Sequence, residues 1–237
     1  MSDPQVIYED KTFLVLDKPA GWVVNDAVSA HGNPIVQEWL KNNFSYDISD
    51  SLEMRSGVVH RLDKETSGVL VIAKTEGSFL DLQKQFKERK IKKKYLALAH
   101  GKFKNNKETV TMSVGRLPWN RRRFGVVYDG KSAETEIEVK SEYSDSSGNF
   151  YSLLHIFPKT GRTHQIRVHL KHLGHPVVSD TFYAGRKTSR KDRVWCSRLF
   201  LHAEEICFTN PDSNIYKCFK SKLPVDLNNP LSKLTLL

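Results

Sequence analysis

At Gly68 the chain changes character abruptly. After it, Val69-Leu70-Val71-Ile72-Ala73 is an unbroken apolar run that ends at Lys74. The run is too short for a buried helix, and Val69, Val71 and Ile72 are β-branched. It therefore reads as a strand buried on both faces. Before Gly68, His60-Arg61-Leu62-Asp63-Lys64-Glu65 places five ionisable groups in six positions. A densely charged loop thus feeds a strand that must be dry. Loops held by rigid buried elements are favoured positions for functional groups.

The rest of the chain supplies many strands and few helices. Val6-Ile7-Tyr8 and Phe13 to Leu16 read as two short strands around the turn Glu9-Asp10-Lys11. Lys18-Pro19-Ala20-Gly21 interrupts them. Pro34 to Leu40 is expected as a short helix with Pro in its first turn, and Ser45 to Arg55 as a loop. Beyond the buried strand, Ser78 followed by Asp81 resembles a capping box, with Phe79, Leu82 and Phe86 on one helix face. Lys94 to Ala99, Thr135 to Val139, Tyr151 to Phe157 and Leu199 to Phe208 read as strands. Thr163 to Leu173 is helical by period, through Ile166, Leu170 and Leu173. Nothing alternates as regular βαβ, so the class is α+β with a mixed, mainly antiparallel central sheet and flanking helices. No repeat and no linker divides the chain, and residues 1–237 are expected to form a single domain.

Charge narrows the partner. There are 37 Lys+Arg against 27 Asp+Glu, a formal net charge of +10. The excess is clustered at Arg89 to Lys94, Arg121-Arg122-Arg123 and Arg186 to Arg193, with Trp119, Phe124 and Tyr183 close by in sequence. Any one cluster reads equally as a solvated face. Three clusters with interleaved aromatics favour nucleic acid. An anionic membrane surface is the weaker alternative, because no basic amphipathic helix stands out. No apolar run approaches the roughly 20 residues a membrane span needs. Met1 to Gln5 has no basic stub and no apolar run, so a cytoplasmic protein is expected. Cys196, Cys207 and Cys218 are read as small free core residues, and their even spacing of eleven as chance.

Two segments carry candidate chemistry. Asp63 lies between Arg61 and Lys64, whose charges favour its ionised form. An ionised carboxylate in a basic setting serves as nucleophile or general base; an ordinary turn in which Asp caps backbone N–H groups is the plainer alternative. In Thr160-Gly161-Arg162-Thr163-His164-Gln165-Ile166-Arg167-Val168-His169, Arg167 falls one residue off the apolar stripe. A guanidinium there either pairs with an anion or extends to solvent. His169 and His172 share a helix face, but no H-E-x-x-H, Cys pair or neighbouring carboxylate completes a metal shell, so no metal is expected. Neither a phosphate-cradling glycine loop nor a G-x-S-x-G elbow is present, so no nucleotide cofactor is expected.

H-R-L-D-K-E-T-S-G-V-L-V-I-A-K, residues 60–74, resembles the signature of the RluA-type pseudouridine synthases. The resemblance continues in order through Asp17-Lys18-Pro19-Ala20-Gly21, Lys93-Lys94-Tyr95-Leu96-Ala97, Ser132-Ala133-Glu134-Thr135, the Thr160 to His169 segment, Gly174-His175-Pro176 and Leu201-His202-Ala203. It implies a sheet with an active cleft across its middle. It also implies an enzyme that isomerises selected uridines of structured RNA, ribosomal or transfer, by breaking the bond from uracil nitrogen to ribose and re-forming it through carbon 5, without cofactor or metal. Asp63 matches the essential aspartate, acting on ribose or uracil ring. Arg167 matches the arginine that pairs with it, Tyr95 the aromatic that stacks on the target base, and Arg61 the arginine that helps to extrude the uridine and fill its place. Extrusion costs a few kcal/mol, and stacking returns about 1–3 kcal/mol of it. Many members carry a separate N-terminal RNA-binding domain; with the loop at Lys18 so early, none is expected here. Trp22 to Asp26 lacks the His expected after that loop. Two alternatives remain: a non-catalytic RNA-binding or ribosome-assembly factor on the same fold, and a nuclease or glycosylase using Asp63 with Glu65.

Overall fold

The computed structural model describes residues 2–25 and 32–237, the side chains of Arg121 and Arg122 excepted. Asp26 and the side chains of those two arginines in the second basic cluster therefore lie outside the described residues. In chain order the elements are β1 (Gln5–Glu9), β2 (Phe13–Lys18), α1 (Val36–Asn43), β3 (Ser67–Ala73), α2 (Glu76–Lys87) and β4 (Lys92–His100). The middle holds β5 (Lys107–Thr111), β6 (Val114–Leu117), β7 (Asn120–Val126), β8 (Glu134–Ser144) and β9 (Phe150–Pro158). There follow α3 (Gln165–His172), α4 (Arg186–Trp195), β10 (Leu201–Thr209), β11 (Tyr216–Lys220), α5 (Val225–Ser232) and β12 (Thr235–Leu236). The class is mixed α+β with mainly antiparallel strands, as the pattern predicts.

The chain divides into two compact units, one of residues up to Lys93 with Ala203–Lys222, the other of Lys94–His202 with Leu223–Leu237. In the first, β1 and β2 form the expected hairpin, and β2 runs antiparallel to β3 from Phe13 opposite Ala73 to Lys18 opposite Gly68. All seven residues of β3 are buried. Phe13, Phe208 and Phe219 form an aromatic cluster with ring centroids 5.1–5.7 Å apart. Gly68 has φ +116°, and a Cβ there would lie 2.2 Å from the carbonyl oxygen of Ala203. Only glycine lets the charged loop turn into β3 while β10 passes that closely.

In the second unit β9 lies between β4 and β8, antiparallel to both. β5 pairs with the start of β8 and β12 with its end. β6 and β7 form a separate hairpin. The core packs Leu96, Leu98, Leu154, Ile156, Leu170 and Phe200 among others.

Several expectations need correction. α1 begins at Val36, two residues past Pro34, because Ile35 keeps an extended backbone. The box on α2 is Thr75 with Ser78: Ser78 N–H donates to Thr75 Oγ1 and Thr75 N–H to Ser78 Oγ, each at 3.2 Å. The helix starts three residues earlier than the apolar stripe indicates, and Asp81 instead accepts from Gln85. The basic run Arg186 to Arg193 is helical, with its lone acid, Asp192, turned inward to accept from Ser179 N–H and meet His100 at 3.0 Å. A basic helix is therefore present after all. The three free cysteines become one: Cys207 and Cys218 form a disulfide and only Cys196, buried, stays free. The spacing of eleven has a cause, since the β10–β11 register sets the two residues directly opposite. Among the described residues no helix is long and apolar enough to cross a membrane.

Candidate functional site

The charged loop is anchored from beneath by a lysine. Lys18, at the end of β2, is wholly buried. Its Nζ donates to the carbonyls of Pro19 at 2.9 Å, Trp22 at 3.1 Å and Lys64 at 3.3 Å. A buried ammonium is tolerated because oxygens surround it. Gly21 N–H also donates to Lys64 O, at 2.7 Å. Two bonds from the K-P-A-G loop thus converge on the peptide carbonyl next to Asp63. Within the turn, Thr66 N–H donates to Asp63 O at 3.1 Å. Leu62 is buried. The turn is anchored through its backbone and Leu62, with Arg61 exposed and Asp63 half-buried.

His60 closes the loop's other end. Val71 N–H donates to its Nε2 at 2.9 Å, and its ring lies 4.9 Å from that of Phe86. Burial, reinforced by the Lys93 ammonium, pushes its pKa down to about 3. The neutral ring is required, because a protonated Nε2 could not accept from Val71. Lys93 is itself lowered to about 8 by burial. On β4 it alternates with exposed Lys92 and half-buried Lys94, and it shares a face with Tyr95. Tyr95 lies opposite Ile156 on β9 and packs against the second unit's core.

α3 is buried almost all round, from Gln165 to Leu170, which an amphipathic reading misses. It starts after His164, whose φ is +57°. Gln165 latches it down: its Oε1 accepts from Thr160 Oγ1 at 2.7 Å and Arg162 N at 3.0 Å, and its Nε2 donates to Glu134 O and Thr135 Oγ1, both at 2.9 Å. His169 Nδ1 lies 2.9 Å from the same Thr135 hydroxyl. The T-G-R-T-H-Q and A-E-T segments are thus one hydrogen-bonded assembly, and His169 is a structural residue.

Arg167 meets an anion. Its Nε donates to Asp180 Oδ2 at 2.7 Å and its Nη2 to Asp180 Oδ1 at 2.9 Å, both side chains buried. Asp180 Oδ1 also accepts from the backbone N–H groups of Phe182 and Tyr183. The guanidinium lies 5.4 Å from the Phe182 ring centroid and 5.1 Å from that of Tyr183. Sequence reasoning singled out Arg167 and the loop at Lys18, but missed the anchoring role of that lysine, Asp180 and this aromatic seat. The available signal for Asp180 was weak. It is a carboxylate just past the apolar pair Val177-Val178, between Ser179 and Thr181, with no ionisable neighbour to draw attention to it.

Of the four residues singled out, Arg61 and Asp63 share one turn of the first unit, while Tyr95 on β4 and Arg167 on α3 belong to the second. Among the described residues, the group close enough to share a metal ion is Glu205, Cys207 and Cys218, and its two sulfurs are joined to each other.

The family model described as RNA pseudouridylate synthase matches residues 12–172, a stretch that contains all four. The chain is 38% identical over 227 residues to ribosomal large subunit pseudouridine synthase D of Nitrosomonas europaea, covering 94% of this chain and 63% of that protein. It is 36% identical to ribosomal large subunit pseudouridine synthase C of Buchnera aphidicola, covering 97% of this chain and 70% of that one. The solved structure of human RNA Pseudouridylate Synthase Domain Containing 1 superposes with a TM-score of 0.75 at 26% identity, over 99% of this chain and 89% of that one. The chain spans less than two thirds of the Nitrosomonas relative, but the matched stretch carries the Lys18 loop, the Asp63 turn, the Tyr95 strand and the Arg167 helix, and the chain belongs to the RNA pseudouridylate synthase family.

Proposed function

We propose that this chain is an RNA pseudouridine synthase, an isomerase that uses Asp63 on a uridine of structured RNA. The observation that carries the reading is the half-buried Asp63 on a turn fixed by buried Lys18, inside a stretch that matches the family. In the proposed reaction the bond from C1′ to N1 breaks and a bond from C1′ to C5 forms. C5 loses its proton and N1 gains one, so atoms and charge balance and no cofactor or metal is required. Asp63 acts as nucleophile or base. Tyr95 stacks on the extruded base, Arg61 helps to extrude it, and Arg167 is the arginine that the family resemblance assigns to Asp63. Residues 1–237 act as a single catalytic domain. The relatives' names favour large-subunit ribosomal RNA over transfer RNA as substrate, and such a substrate fits a cytoplasmic enzyme.

The test is the Asp63→Asn variant, with pseudouridine mapped in ribosomal and transfer RNA of cells that lack the gene and are complemented with either form. The wild type restores a modified position and Asp63→Asn does not, although it still binds RNA. Restoration by Asp63→Asn would remove Asp63 from the chemistry. An RNA whose pseudouridines are the same with and without the gene would favour the non-catalytic alternative instead.

A further inference from the structure

Between the β6–β7 hairpin, α3 and the segment after Asp180 lies a cavity of about 470 Å³. That is within the usual range for small-ligand sites, roughly 300–1,000 Å³. Its aromatic surfaces are Phe124, Phe182 and Tyr183, and its basic groups are Arg123, Lys171 and His172. Among the described residues no carboxylate lines it, and neither does Tyr95. Tyr183 is held rigid, its hydroxyl 3.2 Å from Phe124 N and 2.9 Å from His164 Nδ1. Phe182 is 38% exposed, an uncommon state for a large apolar ring. Arg167 and Arg123 lie against that ring, 5.4 and 6.0 Å from its centroid.

Flat aromatic walls with basic groups at the rim suit a planar base carrying a phosphate. The walls offer stacking that any base can use, and Lys171, His172 and Arg123 offer hydrogen bonds and attraction to the phosphodiester. A purely apolar ligand would leave these three basic groups without purpose, and a cationic ligand would be repelled. Resting on the RNA reading above, we propose that this cavity holds one nucleotide of the substrate RNA other than the uridine that reacts. Its base lies against Phe182 and its phosphate against Lys171 and His172. The cavity then contributes to choosing which uridine is modified, because the RNA must present a second unpaired base besides the first.

The test uses the full chain and a transcript of large-subunit ribosomal RNA substituted with 4-thiouridine. Photocrosslinking and peptide mapping should join a thiouridine to the peptides carrying Phe124 or Phe182, in the wild type and in Asp63→Asn alike. Phe182→Leu should cut that crosslink at least fivefold, and Phe182→Tyr should retain it. Lys171→Gln with His172→Gln should weaken transcript binding about tenfold and lower the slope of log affinity against log salt by about one. Thermal melting of each variant confirms that it is folded. A transcript that is bound and isomerised without a crosslink at these peptides overturns the proposal and spares the activity. A crosslink there without pseudouridine overturns the activity and spares the cavity, and neither product overturns both. If free uridine 5′-monophosphate protects these peptides while the transcript does not reach them, the occupant is a mononucleotide and the RNA assignment fails.

Discussion

Two aspartates in this molecule sit near arginines, and they differ in burial and in what anchors the chain around them. Asp180 is wholly buried, with both oxygens on the Arg167 fork and one also accepting two backbone N–H groups. Asp63 is half-buried on a turn whose backbone is fixed by Lys18 and Gly21. A carboxylate saturated by fixed donors is a structural part, since its charge is already neutralised and its lone pairs occupied. A half-buried carboxylate on an anchored turn can meet a substrate. The contrast separates a carboxylate built into the fold from the one proposed to react.

The sharpest way to break that contrast is substitution at each aspartate. Asp63→Asn should lower the rate of pseudouridine formation by about a thousandfold or more, while urea unfolding and RNA affinity stay close to wild type. Asp180→Ala should instead strike the fold: leaving Arg167 buried without its partner costs about 3–5 kcal/mol, read from urea unfolding. Replacing both, Arg167→Met with Asp180→Leu, should recover most of that stability and none of the activity. If Asp180→Ala proved as stable as wild type, the two aspartates would not differ as described.

The disulfide belongs to the same unit as Asp63 and sharpens the comparison from another side. Closing a loop between residues eleven apart in sequence contributes about 2–3 kcal/mol. Reductant should lower thermal stability by that amount and leave turnover of the still-folded enzyme within about twofold.

Acid should act on the Asp63 unit through His60. Its folded pKa of about 3 lies below the ordinary 6.5. Below pH 6.5 the unfolded chain therefore binds a proton that the folded chain refuses, and stability falls as pH falls towards 3. Between pH 6.5 and 5.5 the loss should be about 1 kcal/mol in urea unfolding, and His60→Asn should flatten that slope. The smallest effect concerns RNA alone: Lys92→Gln with Lys94→Gln should weaken binding a few-fold and reduce its salt slope by about one to two, with the catalytic rate on bound RNA unchanged.

What the residues revealed in advance follows the range of the forces involved. β3, β8, β9 and the β1–β2 hairpin were legible because alternation and apolar runs are local signals. Asp63 stood out as a candidate because five ionisable groups crowd beside a dry strand. The β6–β7 hairpin was not, since its second strand, Asn120-Arg121-Arg122-Arg123-Phe124-Gly125-Val126, carries three arginines and a glycine in place of β-forming residues. Asp180 was not, because its partner lies thirteen positions away and meets it only in the tertiary fold. The Cys207–Cys218 pair was half visible: the spacing was noticed, but β11 had to be seen before the spacing became a register.

The central claim is that this chain moves the C1′ bond of a uridine from N1 to C5 and keeps the base on the RNA. The direct measurement follows large-subunit ribosomal RNA labelled with tritium at uridine C5 and with carbon-14 in the uracil ring. Wild-type protein should release tritium to water in step with pseudouridine formation while all the carbon-14 stays on the polymer, and Asp63→Asn should release none. Carbon-14 appearing as free uracil, or tritium retained while the RNA is bound, would contradict the account.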